Sequence, residues 1–292
     1  MRKDLIACSL VLLGFALVGV NVALSQSVAP SPSHQRVEKV EAAGKRIALQ
    51  SLTGATLFTA NGFRKRRAVS LLIHFHGAPW LIERHIAEKQ PHVALITVQL
   101  GAGSSAYGRP FAEPELFGNV IGEAAKELDL VGEWKSIVLS GFSAGYGAVR
   151  AILRQTENYK RVSGVLLLDG IHASYEPERK ALSDGGVIAN RDLDSFLTFA
   201  NDAAAGKKRF ILTHSEIVPG GYASTTECVD YILGKVGVAR SPKPLAGPMG
   251  MKQISSARKG RLRVFGYAGD GAPDHIDHLH AMPSWFRYLD FE

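Results

Sequence analysis

The sequence predicts an α/β fold with a mostly parallel central sheet and helices on both of its faces. Short runs of β-branched and aliphatic residues alternate with longer amphipathic segments through most of the 292 residues, which is the pattern of strands and helices in such folds. One run, residues 68–75, is almost continuously apolar, as is typical of a strand buried on both faces of a parallel sheet.

The predicted elements alternate regularly along the chain. An opening antiparallel hairpin is expected at residues 46–50 and 55–60, on either side of a Leu-Thr-Gly turn. The further predicted strands are residues 68–75, 93–100, 136–140, 165–168, 209–213 and 261–266. The predicted helices are residues 80–89, 113–130, 146–153, 192–204, 226–236 and 274–289, the last interrupted at Pro283. In sheets of this kind, functional residues gather where the parallel strands end.

Composition and charge are those of an ordinary globular domain. The chain is 46% hydrophobic and 21% charged, so it can bury a large core and is most simply counted as one domain. The net charge of +7 is scattered, apart from Arg64-Lys65-Arg66-Arg67 between two predicted strands. No basic stripe with interleaved aromatic residues is present, so no nucleic-acid partner is expected.

The first 25 residues have the pattern of a secretory signal. Arg2 and Lys3 precede an apolar run over residues 5–24, and small residues precede a possible cut before Gln26. Because the run is about 20 residues long, an uncleaved membrane anchor is the alternative. Either way the protein is expected outside the cytoplasm, periplasmic or secreted, with membrane contact only through this segment.

The remainder divides into a tether and a domain. Residues 26–45, rich in Ser, Pro, Val, Glu and Lys, are expected to form a flexible tether, and residues 46–292 the folded domain. Loss of Cys8 with the signal would leave Cys228 as the single cysteine. No intramolecular disulfide would then be possible, and stability must come from the core.

A strand, a glycine-rich turn and a helix follow one another at residues 134–153. The turn is Gly141-Phe142-Ser143-Ala144-Gly145, which fits the Gly-x-Ser-x-Gly pattern of a nucleophile elbow. Such a turn is so tight that its flanking positions must be small. Ser143 is therefore predicted at the tip, in a strained backbone conformation, with its hydroxyl exposed above the sheet.

These elements and motifs resemble the α/β-hydrolase fold. The resemblance covers roughly residues 46–292 and rests on the elbow, on His76-Gly77-Ala78-Pro79-Trp80 after the third strand, and on the order of the elements. In that family the catalytic residues follow the order Ser, Asp or Glu, His. The resemblance implies a serine hydrolase with Ser143 as nucleophile and without a cofactor or metal.

The base and the acid each have more than one candidate. His275 is the preferred base because it follows the last predicted strand and opens the final helix. His278, one turn further along the same face, is the alternative, and His280 is the third choice. Glu216 is preferred as the acid because it follows the penultimate strand, where the family usually places it. Asp169, at the end of the preceding strand, is its rival.

The remaining site residues are expected around the same edge of the sheet. The backbone N–H groups of Ala144 and Ala78 are the candidates for an oxyanion hole, and Gly77 would let the backbone approach the substrate closely. Trp80 and Tyr107 are expected to contact the substrate by lining an apolar acyl pocket.

Three other interpretations remain open. His74 and His76 alternate onto one face of a strand, so a metal-dependent hydrolase using these and the histidines after the last strand is an alternative. Gly101 to Ala106 formally fits a dinucleotide-binding motif, but Gly108 and Pro110 would interrupt the helix that the motif needs. A hydrolase-like domain that only binds is the third interpretation.

The preferred function is that of an exported serine hydrolase. It would cleave a carboxylic ester, in a small molecule or a polymer, through an acyl-enzyme on Ser143. The segments 170–207 and 218–260 are the longest between predicted strands, and they are expected to build a partial lid.

Overall fold

The computed structural model describes residues 36–64, 68–289 and 291. In chain order the strands are β1 (Gly44–Ala48), β2 (Ala55–Ala60), β3 (Ser70–Phe75), β4 (Ala94–Val98), β5 (Ser136–Phe142), β6 (Val162–Leu168), β7 (Tyr175–Glu176), β8 (Val187–Ile188), β9 (Arg209–His214), β10 (Ser241–Ala246), β11 (Lys252–Lys259) and β12 (Leu262–Tyr267). The helices are α1 (Pro79–Lys89), α2 (Ser104–Gly108), α3 (Pro114–Glu127), α4 (Tyr146–Leu153), α5 (Thr156–Arg161), α6 (Asp194–Ala204), α7 (Thr225–Val236) and α8 (Ala272–His280).

Within these described ranges, ten strands form one sheet in the order β1-β2-β4-β3-β5-β6-β9-β12-β11-β10. The central strands β4, β3, β5, β6, β9 and β12 are parallel. The pairs at both edges are antiparallel. The predicted mostly parallel sheet is therefore confirmed.

Two apolar cores cover the two faces of the sheet. Leu71 and Ile73 of β3 pack into one core with residues of α3, α4, α6 and α7. Leu72 points to the other face and packs with residues of α1, α8 and the 3-10 segment Met282–Tyr288. Burial on both faces explains why the central strands are nearly continuous apolar runs, without the alternation of a strand that has one face in water.

The segment 218–260 does not form the predicted lid. It contains α7 and then β10 and β11, which extend the sheet antiparallel beyond β12. β11 has no apolar run, and β10 is exposed along its length and carries Pro242 and Pro244. Proline is typical of an edge strand, where no ladder donor is needed. This composition is why periodicity did not indicate these strands.

Residues 36–43, part of the predicted tether, lie against the domain. The Arg36 Nε donates to Asp277 Oδ1 of α8 at 2.7 Å, and the Val37 N–H donates to His280 Nδ1 at 3.1 Å. The folded region therefore begins before the predicted boundary at residue 46. The predicted signal, the rest of the tether and most of the basic cluster at 64–67 lie outside the described residues. In the part of the chain that is described, no helix combines the length and apolarity needed to cross a bilayer.

A buried histidine of α1 makes stability depend on pH. Neither ring nitrogen of His85 has a hydrogen-bond partner among the described residues. Burial, and then the positive charges of His280, His74, Arg84 and Lys89, lower its pKa from 6.5 to about 3. The unfolded chain therefore binds more protons than the folded protein between these two values. The buried His85 therefore causes no loss of stability above pH 6.5, and the free energy of unfolding decreases as the pH falls from 6.5 towards 3.

We expect His85→Leu to raise the melting temperature, and to raise it more at pH 5 than at pH 7.5. The substitution removes a buried polar group without partners, and at pH 5 it also removes a protonation penalty of about 2 kcal/mol. That penalty corresponds to about 4–8 °C for a domain of this size. Thermal unfolding followed by circular dichroism at both pH values measures the effect. His92→Gln, at a less buried histidine, is the control, and an equal gain at both pH values would contradict the account.

Candidate active site

Ser143 lies at the tip of a tight turn between β5 and α4. Its backbone has φ of +47°, a left-handed conformation that costs energy for a residue with a side chain. A Cβ on Gly145 would lie 2.1 Å from the carbonyl oxygen of Phe75, and one on Gly141 would lie 2.9 Å from the carbonyl carbon of Gly145. Both flanking positions must therefore be glycine, and the geometry is that of the predicted elbow.

The loop after β6 brings a carboxylate to a histidine of α8. Asp169 Oδ2 and His275 Nδ1 are 2.7 Å apart, although 106 positions separate them in the sequence. Since Nδ1 is occupied by the carboxylate, Nε2 is the ring nitrogen available for chemistry. Ser143, Asp169 and His275 line one cavity of about 280 Å³.

The loop that carries Asp169 packs directly against the elbow. A Cβ on Gly170 would lie 2.4 Å from the carbonyl oxygen of Ser143 and 2.6 Å from its nitrogen. Glycine is therefore the residue that lets the two turns approach this closely. Asp169 itself has φ of +42°, so strained backbone occurs in both turns that carry candidate catalytic residues.

The Asp169 carboxylate is buried and held in the charged form. Burial raises its pKa, but the charge of His278, the hydrogen bond and charge of His275 and the Ser215 N–H outweigh burial and bring the pKa below its usual range. Ser215 donates twice, from its N–H to Oδ1 at 2.8 Å and from its hydroxyl to Oδ2 at 2.7 Å. His278 is itself neutral near pH 7, so the hydrogen bonds are the main stabilising contacts there.

The structure brings Asp169 to a histidine and does not do so for Glu216, the preferred candidate for the acid. β9 runs to His214, and the next residue, Ser215, is buried against Asp169. Glu216 is exposed as a result. It connects the loops after β9 and β12, since its N–H donates to the Gly269 carbonyl at 2.8 Å and its Oε2 accepts the Gly269 N–H at 3.2 Å.

Among the carboxylates of the described residues, only Asp169 lies at hydrogen-bond distance from a candidate base, and that base is His275. His278 is fully buried, shares a 2.7 Å hydrogen bond between Nδ1 and Thr213 Oγ1, and stacks on Trp285. Burial lowers its pKa to about 4, so it is a neutral core residue. His280 accepts the Val37 N–H at 3.1 Å, away from the elbow.

A larger cavity of about 640 Å³ opens over the elbow. It is polar and aromatic, and its lining includes Ser143, Ala144, His76, Arg150, His172 and Tyr222. Trp80 and Tyr107 do not line it, so their predicted substrate contacts are corrected. Trp80 packs against the core on the α1 face, and Tyr107 is fully buried.

The strand order, the elbow after β5 and the histidine after the last parallel strand together decide the architecture. This is the α/β-hydrolase fold. The sheet order, with β3 between β4 and β5, places the loops after β3, β5, β6 and β12 along one edge. Ala78, Ser143, Asp169 and His275 lie in these loops or in the helix that follows.

Comparison with solved structures finds esterases among the similar proteins. An acetyl xylan esterase from Aspergillus awamori is 11% identical, with a TM-score of 0.48 over 85% of this chain and 100% of that one. A feruloyl esterase module from Clostridium thermocellum is 12% identical, with a TM-score of 0.47 over 90% and 92%. No protein-family model and no curated protein sequence matches the chain. At these identities the likeness is one of fold alone.

In this α/β-hydrolase fold, hydrogen bonds of the buried His74 hold the loop after β3 in place. His74 Nε2 lies 2.6 Å from the His76 carbonyl oxygen, and His74 Nδ1 lies 3.1 Å from the Ser140 hydroxyl. Burial lowers the pKa of His74 to about 3, so this imidazole is neutral and donates from Nε2. Gly77 follows with φ of +108°, and a Cβ there would lie 2.9 Å from Leu279. The close approach expected of Gly77 is thus made to the core side chain of α8.

His76 reaches the larger cavity from this loop. Its Nδ1 lies 2.9 Å from the Tyr107 hydroxyl, whose oxygen also accepts the Leu100 N–H at 3.3 Å. Tyr107 therefore donates to Nδ1, and the proton of a neutral His76 is on Nε2. Burial, and then the charge of His275, lower the pKa of His76. Ala144 lines the cavity, whereas Ala78 lies at the start of α1, half-buried.

A metal centre has no support among the described residues. They contain no group of three or more His, Cys, Asp or Glu side chains arranged to hold an ion. The ring nitrogens of these histidines have other partners: those of His74 contact Ser140 and the His76 carbonyl, Nδ1 of His76 contacts Tyr107, and Nδ1 of His278 contacts Thr213. The segment 101–106 also lacks the long helix that a dinucleotide-binding motif needs, because α2 has only five residues and Pro110 follows it.

Four residues that shape the site were not predicted from the sequence. They are Ser215, Gly170, His172 and Arg150. Gly170 follows Asp169 directly, so a glycine after a strand end was an available signal. Arg150 lies in the predicted helix that follows the elbow, so a charged residue in its second turn was an available signal. Ser215 and His172 carried no signal of this kind, because their roles depend on loops that meet only in the folded chain.

Proposed function

We propose that the protein is a serine hydrolase that cleaves a carboxylic ester through an acyl-enzyme on Ser143. The observation that carries the proposal is the 2.7 Å contact between Asp169 and His275, made in the cavity that Ser143 also lines. A serine hydroxyl is a weak nucleophile at neutral pH and needs a base with a fixed tautomer. The buried carboxylate supplies that orientation.

The mechanism follows from the positions of these groups. His275 Nε2 takes the proton of Ser143 as its oxygen attacks the ester carbonyl, and the same nitrogen returns the proton to the leaving alcohol. Water then attacks the acyl-enzyme with His275 again as base, and acid and Ser143 are released. Asp169 stays charged and stabilises the imidazolium that forms in both steps.

The negative charge of the tetrahedral intermediate needs donors next to the elbow. We assign one to the Ala144 N–H, which follows the nucleophile, and one to the Ala78 N–H of the loop after β3. Each such donor typically contributes about 3 kcal/mol to transition-state stabilisation. The Nε2 proton of His76, in the same cavity, is a third donor for the substrate.

Within this mechanism we propose an ester as the substrate class. The two relatives in fold named above are described as an acetyl xylan esterase and a feruloyl esterase, and we extend to this chain only the ester bond that those names share. We also propose that the protein is exported, because residues 1–25 have the pattern of a secretory signal. Secretion of an alkaline phosphatase fused after residue 45 would test this, and cytoplasmic retention would contradict it.

Labelling by a fluorophosphonate probe tests the nucleophile. We expect the wild-type protein to be labelled and Ser143→Ala to lose both labelling and hydrolysis of 4-nitrophenyl acetate. Ser104→Ala is the matched control, since Ser104 lines the same cavity but contacts the Tyr146 hydroxyl. A folded wild-type protein that is not labelled, or a labelled Ser143→Ala variant, would overturn the proposal.

A further inference from the structure

Arg150 extends from α4 into the cavity over the elbow. It comes seven residues after Ser143, and its guanidinium carbon lies 5.3 Å from the centre of the Tyr146 ring. Its side chain is 20% exposed, so a permanent positive charge is largely removed from water. Neither the elbow nor the contact between Asp169 and His275 requires a cation at this position.

The contacts of Arg150 leave its hydrogen-bond donors free. The nearest carboxylate, Asp192 Oδ1, is 3.6 Å from an Arg150 terminal nitrogen and 3.9 Å from one of Arg154. The other oxygen of Asp192 accepts the Ser174 N–H at 2.8 Å. Within the described ranges, no acceptor is at hydrogen-bond distance from the Arg150 guanidinium. The guanidinium therefore has one long ion pair, with Asp192 in the lining of the same cavity, and its N–H donors remain available to a ligand.

The larger cavity is the place for the acyl part of an ester. The leaving alcohol must face His275, which lines the smaller cavity with Ile217 and Pro219. The larger cavity carries Ala144, the candidate oxyanion donor, and continues to Arg150. An acyl chain attached to Ser143 would therefore extend along α4 towards the guanidinium.

Helix geometry gives the length of that chain. Ser143 begins the 3-10 turn that precedes α4, and Arg150 lies in the second turn of α4, so their Cα atoms are on the order of 10 Å apart. Helical side chains lean towards the N-terminus of their helix, so the guanidinium lies closer to Ser143 than its Cα does. A short acyl chain with an acceptor at its far end would span this distance.

We propose that the protein prefers esters whose acyl chain ends in a carboxylate, and that Arg150 binds this carboxylate. This inference rests on the proposed function, since it names the substrate class of the same site. The planar guanidinium pairs with a carboxylate through two parallel hydrogen bonds. Asp192, shared between two arginines, holds the guanidinium in place, and Tyr146 supports its face.

Two esters that differ only in charge test the preference. The 4-nitrophenyl monoester of adipic acid carries a free carboxylate, and its methyl-capped form is neutral. We expect the wild-type kcat/KM to be at least about 10-fold higher for the charged ester, since a hydrogen bond to a charged group is worth about 1.5–3 kcal/mol. Arg150→Gln should remove this preference, mainly by raising KM for the charged ester.

Matched variants separate the cavity from general charge effects. Arg154→Gln is the control, because it removes the same charge four residues away, where the guanidinium donates to the Arg191 carbonyl. It should keep the preference. Arg150→Lys keeps the charge but not the paired geometry and should show an intermediate preference. A preference that survives Arg150→Gln, or that favours the neutral ester, would overturn the inference.

A binding measurement that needs no catalysis tests the carboxylate site at Arg150 separately from the proposed hydrolase function. Isothermal titration calorimetry of adipate should detect binding to wild-type protein and to Arg154→Gln, but not to Arg150→Gln. Adipate binding together with no ester hydrolysis would reject the proposed function and keep the carboxylate site. Hydrolysis of neutral esters without adipate binding would keep the function and overturn the inference, as would an Arg150-dependent preference for acetylated sugars.

Discussion

Asp169→Asn is expected to lower kcat by about 10³- to 10⁴-fold, the loss typical when a catalytic histidine loses its carboxylate partner. The amide cannot stabilise the imidazolium, and its N–H₂ group can turn towards His275 Nδ1 and favour the unproductive tautomer. The geometry of the loop is expected to survive, because the amide oxygen at the Oδ1 position can still accept the Ser215 N–H. The Ser215 hydroxyl, which now donates to Oδ2, can rotate to accept a hydrogen bond from the amide nitrogen.

Glu216→Gln is the matched control for that experiment. It replaces the other candidate carboxylate, which is exposed and contacts the Gly269 backbone. We expect kcat to stay within about 3-fold of wild type, as for most surface substitutions. Initial rates with 4-nitrophenyl acetate, and melting temperatures to verify folding, measure both variants. A severe loss in Glu216→Gln with a mild one in Asp169→Asn would reverse the assignment.

Gly145→Ala is expected to destabilise the protein by about 3 kcal/mol or more, at the upper end of overpacking effects. Its backbone has φ of −59°, so the conformation itself suits alanine. The cost is steric, because the new Cβ would lie 2.1 Å from the Phe75 carbonyl oxygen at the end of β3. Either β3 or the elbow must move, and a shift of about 1 Å at a catalytic group can lower the rate about 100-fold.

Gly122→Ala provides the contrasting control within the same fold. Gly122 is exposed in α3, and a Cβ there would meet no atom within 4 Å. Alanine in a helix is more favourable than glycine by about 0.5–1 kcal/mol, so this variant should melt slightly higher than wild type. Urea unfolding of both variants measures the difference in stability. The rate of ester hydrolysis, corrected for the fraction of folded protein, measures the effect on catalysis. Equal stabilities would contradict the steric account.

Most strands, helices and the elbow could be predicted from the sequence because each depends on residues that are close together in the chain. Apolar runs, amphipathic segments and the Gly-x-Ser-x-Gly turn at residues 141–145 depend on neighbours in the chain, and the structure places a strand, an elbow and a helix there. The edge strands β10 and β11 were missed because polar residues and proline carry no periodic signal. The burial of Tyr107 was missed because a tyrosine after a strand end is compatible with either a pocket or a core.

By itself, the sequence determined the α/β order of elements, the elbow around Ser143 and the edge of the sheet where candidate residues collect. Only the tertiary structure decided which of them meet. Asp169 and Glu216 both follow neighbouring parallel strands, and no pattern in the chain distinguishes them. The choice depends on Gly170, whose missing side chain lets the loop after β6 pack on the elbow, and on Ser215, which is buried against Asp169 and leaves Glu216 in solvent. Such contacts join residues tens of positions apart, so they exist only once the chain is folded.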